Sequence, residues 1–413
     1  MELWRRQYEG MLFPESEGFN ALKALKYASE LSEVESSATE ITRDANINRL
    51  RTLLLLCFEH VPAYAFLRHE RLEIEKDPES ALKRFPVFDS GLFRKDTGMY
   101  LNDACPREGL VKFSTDAGVD FYMSAENAAR REGERIFVLN KLGLSQASKA
   151  LVLEHGRDID EKSGIFAGIQ RRTRSRISIT YDDMENAERT AALLKRVKPD
   201  YVCGSPGTVY SFSNRMIASG EGSAVKLKGA LFFGHGIYPE WRKLISETFG
   251  CETVCASITR DFGLAAYSCV GGFMHLNEHA RFFETGDGGE ILMTDLADAV
   301  MPRLREGTGF FGTIENGTCS CGLSTQRIAM KREVKGNGVD FRALYEAMLR
   351  IEEVFAFRLE LNPPELTFVT SKDSAQSRVE HLMSELFGHE AYSVRRAGHI
   401  LTDNAGFIAG HGR

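Results

Sequence analysis

Residues 200–216, DYVCGSPGTVYSFSNRM, and residues 228–236, KGALFFGHG, decide how this chain is read. The first is an apolar run of strand length, a Gly-Pro loop and a helix-forming stretch. The second repeats that logic, a strand ending in glycine at a crossover. PEWRKLISETFG (239–250) follows it, a helix with proline near its first turn and glycine at its end. CETVCASIT (251–259) is the next strand. Upstream, ALVLEHG (150–156) and RISITYDD (176–183) read as strands, and MENAERTAALLKRVKP (184–199) as an amphipathic helix stopped by Pro199. Strands alternating with helices of this length mean a parallel sheet with helices on its faces.

Ligands of such sheets sit at the carboxyl ends of the strands. Glycine-containing loops at 114–118, 204–207 and 234–236 fall at predicted strand ends, so they are expected to meet around one cleft. The earliest lies in VKFSTDAGVDF (111–121), where a strand-like lead-in runs into Ser114, Thr115 and Gly118. Small hydroxylated residues and glycine after a strand can cradle a phosphate, but Asp116 and Asp120 lie in the same stretch.

The remaining texture divides the chain. Residues 18–56 have helical spacing, HVPAY (60–64) breaks it, and FPVFDSGLFRKD (85–96) leads to a helix with Asp89 or Ser90 as N-cap. A helix capped by Ser124 is predicted from about Ala125 to Leu142. From about 270, short strands and tight turns indicate antiparallel β structure. After KREVKGNGVDF (331–341) a β-α-β rhythm marks a small α+β domain. The expected architecture is therefore a large α/β domain with a parallel sheet and a β-rich segment over 1–330, and a small C-terminal α+β lid domain over 331–413.

The 413 residues carry 43% hydrophobic and 27% charged residues and a net charge of −6, ordinary for a soluble protein and without a general pull toward nucleic acid. QRRTRSR (170–176) is read as a solvated loop face, with an anion-steering patch as the alternative. LRTLLLLCF (50–58) is far short of the ~20 apolar residues of a membrane span. The N-terminus has no apolar signal core, so a cytoplasmic location is expected. There the eight cysteines stay reduced, and are buried, metal-binding or catalytic rather than disulfide-bonded.

CSCG (319–322) places Cys319 and Cys321 as a tight pair with Gly322 allowing the turn, and CVGGFMH (269–275) supplies Cys269 and His275. Three thiolates and an imidazole suit a closed, structural tetrahedral Zn2+ site. The C-x5-H…C-x-C spacing is not a common zinc-finger spacing, and reduced cysteines in a β-turn core are the alternative. His279 is a less favoured fourth ligand.

The order of these pieces resembles the phenylacetate–CoA ligase family of the adenylate-forming superfamily. HVPAY with FPVFDSGLFRKD is similar to the family's N-terminal pair. KPDYVCGSPGTVYSF and GALFFGHGIYPEWRKLISETFGC are similar to two of its central segments. ILMTDLADAVMPRLREGTGFFGTIENGTCSCG (291–322) is the most specific match, because a CxCG after a TDL…MP run is a family feature. Members of the family carry cysteines at positions similar to the four metal candidates.

The resemblance implies activation of a carboxylic acid, of aromatic type, by ATP and Mg2+. Pyrophosphate leaves, an acyl-adenylate forms, and the acyl group passes to CoA or an acyl carrier protein thiol. Secondary-metabolite or antibiotic biosynthesis is the expected setting, and a homodimer stays open. By the resemblance, cofactor-binding candidates are Ser114, Thr115, Gly118, Ser257, Arg260 and Thr308. Asp261 in SITRD takes the position of the Mg2+-binding glutamate, and Arg396 (or His399) that of the C-terminal lysine. His235, a catalytic candidate, falls where the family lines its acyl pocket; Ser205, Gly207, Tyr210, Phe233 and Gly234 are candidates for binding the substrate, with a structural turn and core aromatics as the alternatives.

The chain also departs from the family. STDAGVD is about two residues shorter than the family's phosphate loop and has one glycine in place of two. Ser257 replaces an adenine-stacking aromatic, Phe310 replaces the ribose-gripping aspartate, and no lysine follows Lys372. These departures favour an alternative: a catalytically impaired homologue that binds an aryl acid or acyl thioester, or transfers acyl groups without ATP.

Overall fold

The computed structural model describes residues 21–36, 39–114, 120–145, 147–153, 176–179, 187–204, 206–222, 225–234, 237, 239–259, 263–330, 344, 347–348, 351, 354–361, 364–370, 373–387 and 392–397. Two compact units emerge, one of residues 139–256 with 332–413 and one of residues 2–138 with 257–331.

The first unit contains the predicted parallel sheet. Its strands run in the order Arg176–Ile179, Ala150–Leu153, Tyr201–Gly204, Gly229–Phe233 and Glu252–Thr259, each pairing in parallel with the next. ALVL, YVCG and GALFF are buried along their whole length. That is why they appear in the sequence as continuous apolar runs without alternation. Helices Ala187–Val197, Pro206–Ala218 and Pro239–Phe249 connect the strands. Gly250 ends the last of these at φ +62°, the left-handed conformation glycine takes past a helix C-terminus.

The same unit holds a three-stranded sheet within the expected C-terminal domain. Val354–Leu361 pairs antiparallel with Pro364–Thr370, which pairs parallel with Ser393–Ala397. Helix Ser374–Phe387 supplies the crossover that the parallel pair requires. The core of this sheet (Val354, Phe357, Leu366, Phe368, Val379 and Met383) is continuous with Trp241 of helix Pro239–Phe249. Trp241 in turn stacks on Tyr210 at 4.7 Å between ring centroids.

The second unit is antiparallel. Its sheet runs Gly263–Ser268, Met274–Leu276, Arg327–Met330, Glu306–Glu315, Glu290–Asp295 and Arg281–Thr285. Helices Ala21–Ser36, Thr39–His60 and Ala125–Asn140 belong to this unit. Asp89 caps helix Ser90–Lys95 by accepting from the Gly91 and Leu92 amides, and the Ser124 hydroxyl accepts from the Asn127 amide, as predicted for both caps. Val111–Ser114 does not run into a helix. It forms a hairpin with Asp120–Met123, with Ser114 opposite Asp120. Among the described residues no helix is long and apolar enough to cross a membrane.

A buried charge network organises this unit. Arg130 grips both oxygens of Asp295, at 2.6 and 2.8 Å. Arg281 Nη1 lies 2.6 Å from Glu134 Oε1, and the second Glu134 oxygen accepts the Leu264 amide at 2.8 Å. All four side chains are at most 7% exposed. Burial would push the Asp295 carboxyl up, but the guanidiniums of Arg130, Arg281 and Arg131 outweigh it and hold that carboxyl well below the usual range. Gly263 makes the close packing possible. A Cβ there would lie 2.2 Å from Glu134 Oε2, 2.8 Å from Arg281 Nη2 and 2.9 Å from Arg131 Nη1, and its φ of +73° also suits glycine.

Asp295→Asn removes the carboxylate that Arg130 grips and Arg131 faces at 3.3 Å, leaving them only Glu134 at 3.5 Å and Asp298 at 3.9 Å. Urea denaturation is expected to show a loss of about 3–5 kcal/mol, and a loss below ~1 kcal/mol would mean that water reaches the network. Glu278 gives the opposite kind of pH dependence. Burial raises it to about 7, against the pull of the Gln326 amide. A raised carboxyl binds its proton more tightly in the folded state. Stability from this group therefore falls as pH climbs from about 4.5 to 7. Glu278→Gln is expected to flatten that fall in thermal scans; an unchanged slope would refute the assignment.

Candidate functional site

Of the residues singled out in the sequence, Cys269, His275, Cys319 and Cys321 are brought together. Their ligand atoms all lie within 4.8 Å of one another. Two five-residue loops of the same design build the cluster. In CVGGF (269–273) the Cys269 amide donates to the Phe273 carbonyl at 3.0 Å and the Gly272 amide to the Cys269 carbonyl at 2.9 Å. In CSCGL (319–323) the Cys319 amide donates to Leu323 at 2.8 Å and the Gly322 amide to Cys319 at 2.9 Å. Gly272 and Gly322 occupy the same loop position, at φ +83° and +90°. Each loop thus needs glycine fourth, where the chain turns through the left-handed region.

The third loop position distinguishes them: Cys321 in one loop, Gly271 in the other. One loop offers two thiols and the other a single thiol, and His275, two residues beyond Phe273, completes the set. Pairing of Arg327 with His275 and of Ile328 with Met274 lays the two loops side by side.

The donor chemistry fits a thiophilic ion. His275 Nε2 is 3.5 Å from Cys321 Sγ. Two ligands at tetrahedral angles, with metal–sulfur and metal–nitrogen bonds of ~2.3 and ~2.0 Å, stand about 3.5 Å apart. His275 is fully buried, and Cys269 and Cys319 are at most 8% exposed. Four protein donors fill a tetrahedron, so the group is suited to holding an ion and not to presenting it to a substrate. His279 is not in this cluster. Its ring faces Glu30 at 3.9 Å, and burial, with Arg130 nearby, depresses it to about 4.

The remaining candidates are scattered over both units or lie outside the described residues. Asp261, His235, Arg260, Thr115, Gly118 and Ser205 lie outside them. Ser114 ends the first hairpin strand. Ser257 is buried, and the Thr308 hydroxyl donates to the Ile291 carbonyl at 2.6 Å and accepts the Phe310 amide at 3.3 Å. Phe310 is 1% exposed, a core side chain. Phe233 is buried at the end of its parallel strand, and Gly234, at φ +147°, donates its amide to the Ala256 carbonyl at 3.1 Å. Gly207 is buried in the first turn of helix Pro206–Ala218. Tyr210 is half-buried and stacks on Trp241. Arg396 is exposed, paired with Asp373, and donates to the Thr370 carbonyl at 3.3 Å.

Residues that the sequence did not single out surround the cluster. His275 Nδ1 is 2.8 Å from the Thr325 hydroxyl, and Tyr267, opposite His275 on the neighbouring strand, bonds Glu35 at 2.6 Å. Nothing in their spacing along the chain announces them; only the strand pairing does.

No protein-family model and no curated protein matches the chain. Solved structures do. The crystal structure of 2-hydroxyisobutyryl-CoA ligase in the postadenylation state in complex with R3-HIB-AMP matches 96% of this chain and 92% of its own, with a TM-score of 0.61 and 14% identity. An open conformation of that ligase, in complex with 2-HIB-AMP and CoA, matches 94% of this chain and 93% of its own, with a TM-score of 0.53 and 13% identity. The fold is that of the adenylate-forming ligases, the fold class expected from the sequence.

Cys319→Ser and Cys321→Ser are each expected to abolish stoichiometric metal uptake by the purified protein, measured by elemental analysis. They should also lower its melting temperature. Retention of one equivalent by both variants would show that the ion sits elsewhere.

Proposed function

We propose that the chain activates a carboxylic acid, of aromatic type, as its acyl-adenylate, and passes the acyl group to CoA or a carrier-protein thiol. In the first half-reaction a carboxylate oxygen attacks the α-phosphorus of Mg2+-bound ATP, and pyrophosphate leaves. In the second a thiolate attacks the acyl carbonyl, and AMP leaves. Within that scheme the chain is of the phenylacetate–CoA ligase type, with a secondary-metabolite or antibiotic pathway as its setting. The observation that carries the reading is the extent of the fold match, 96% of this chain on an acyl-CoA ligase in complex with an acyl-AMP. Phe233 and Gly234 support it, because they end a parallel strand on the side where such sheets bind ligands.

The cysteine–histidine cluster is, in the same proposal, a structural Zn2+ site. Three thiolates with one imidazole favour that ion over the harder Mg2+, which takes oxygen ligands.

Phe310 favours a second reading. Its buried ring offers no acceptor to a ribose hydroxyl, at the position where the resembled family places an aspartate. On that reading the chain binds an aryl acid or acyl thioester, or transfers acyl groups without ATP.

Calorimetry with Mg2+ and ATP, followed by acid-dependent pyrophosphate exchange over a panel of aryl and short-chain acids, decides between them. The first reading expects nucleotide binding and exchange with at least one acid. Absence of binding at millimolar ATP, together with binding of an aryl acid or acyl thioester, would replace it with the second. Elemental analysis should find one zinc per chain, and a content near zero after zinc supplementation would remove the zinc assignment.

A further inference from the structure

The small C-terminal sheet does not close its own core. Among the described residues, the fully buried side chains of that core come from residues 344–383, with one exception. The exception is Trp241, on helix Pro239–Phe249 of the parallel-sheet layer. It is 4% exposed, and its side chain is larger than any other in the core. A small domain buries a modest share of its surface and is marginal by itself. A domain whose largest core side chain belongs to another element cannot leave without opening that core to water. Domains of one chain move against each other by default unless a large apolar interface joins them. At this junction a single apolar core runs across.

The seat of Trp241 is itself immobile. The ring stacks on Tyr210 at 4.7 Å with an interplanar angle of 21°. Tyr210 and Ile237, both half-buried, pack against the same core. Helix Pro206–Ala218, which carries Tyr210, also packs against strand Val354–Leu361. Phe212 of that helix stacks on Phe249 at 5.8 Å, and both rings are at most 1% exposed. Two aromatic pairs thus join helix Pro206–Ala218 to helix Pro239–Phe249. Arg242, the neighbour of Trp241, fastens the second helix to the sheet. Its Nε donates to the Thr253 hydroxyl at 2.6 Å and its Nη2 to the Thr253 carbonyl at 2.9 Å. Trp241 is therefore held from behind, and cannot follow the C-terminal sheet if that sheet moves away.

We propose that Trp241, braced by Tyr210, anchors the C-terminal α+β domain as a fixed part of the parallel-sheet unit, so that this domain does not open as a lid. The proposal concerns the mechanics of the chain and holds for either reading of its chemistry. It also gives Tyr210 a different task from the one its place in the sequence suggested. The face of its ring that Trp241 covers is not available to a flat acid.

Trp4 and Trp241 are the two tryptophans of the chain. In the full-length Trp4→Phe variant Trp241 is therefore the single fluorescent reporter of the junction. Its emission is expected to be blue-shifted, and its quenching by acrylamide several-fold weaker than in urea. Mg2+ with ATP, an aryl acid or CoA, each added at millimolar concentration, should leave both unchanged. Trp241→Ala in the full-length chain should raise amide hydrogen exchange several-fold in strands Val354–Leu361 and Pro364–Thr370, while strand Glu306–Glu315 of the other unit exchanges as before. Trp241→Phe keeps an apolar ring and should recover most of the protection. Quenching of the ligand-free protein as strong as in urea would overturn the proposal, because the ring is then not covered. A red shift with stronger quenching on addition of a ligand would overturn it too, because the domain then lifts. Faster exchange confined to helix Pro239–Phe249 in Trp241→Ala would make Trp241 a local packing residue and remove the anchor. If none of the three ligands binds, quenching of the protein alone and the exchange pattern decide. Should Trp241→Ala fail to fold, the quenching data and Trp241→Phe decide.

Discussion

Taking Asp295 and Glu134 out of water is the constraint on which the antiparallel unit depends. A buried carboxylate costs several kcal/mol in desolvation unless cations and donors surround it. Here Arg130 and Arg281 supply the cations, and the Leu264 amide supplies a donor. The consequence is geometric. Asp295 ends one strand, Arg281 begins the next, Leu264 opens a third, and Arg130 and Glu134 share a turn of helix Ala125–Asn140. None of these elements can shift without separating a charge from its partner, so the helix and three strands are fixed as one body. The cysteine–histidine cluster sits between those strands: His275 is on Met274–Leu276, which pairs with Gly263–Ser268.

The two loops of that cluster show how repetition in a chain produces a binding site without a repeated sequence. CVGGF and CSCGL share only a first cysteine and a fourth glycine. Those two residues are the ones the loop geometry needs, one to offer its amide and carbonyl to the turn and one to adopt positive φ. The remaining positions can vary, and one of them has become a third thiol. The histidine is contributed by the strand instead, and its contacts with Thr325 and Tyr267 tie a local turn motif to the neighbouring strand.

Much of the fold was legible because burial on both faces leaves a strong trace. ALVL, YVCG and GALFF have no polar alternation to confuse with a surface strand, and the helices between them carry clear caps and stops. The hairpin at 111–123 was not legible. Its first strand looks like the lead-in to a phosphate loop, and the pairing of Ser114 with Asp120 is a tertiary fact with no two-residue turn signal to announce it. The charge network was hidden for a different reason. AENAARREGERIFVLN reads as a helix with a solvated charged face, since arginine and glutamate are rarely buried unless paired. The partners lie about 150 residues downstream, as the 165-residue separation of Arg130 and Asp295 shows. At the cluster, cysteine chemistry was visible in the spacing, whereas the threonine and tyrosine that touch the histidine are residue types with many ordinary roles.

Gly263 carries a consequence for how this chain can change over evolutionary time. Its missing side chain is the space occupied by an oxygen of Glu134 and by nitrogens of Arg131 and Arg281. Any side chain there meets three charged groups at once. Changes at contacting sites of this kind are strongly non-additive, so the path to a different residue passes through intermediates worse than either end. The position is a ratchet: once the network closed around a bare backbone, descent through single mutations could alter the loops and the cysteine–histidine cluster far more easily than this one glycine.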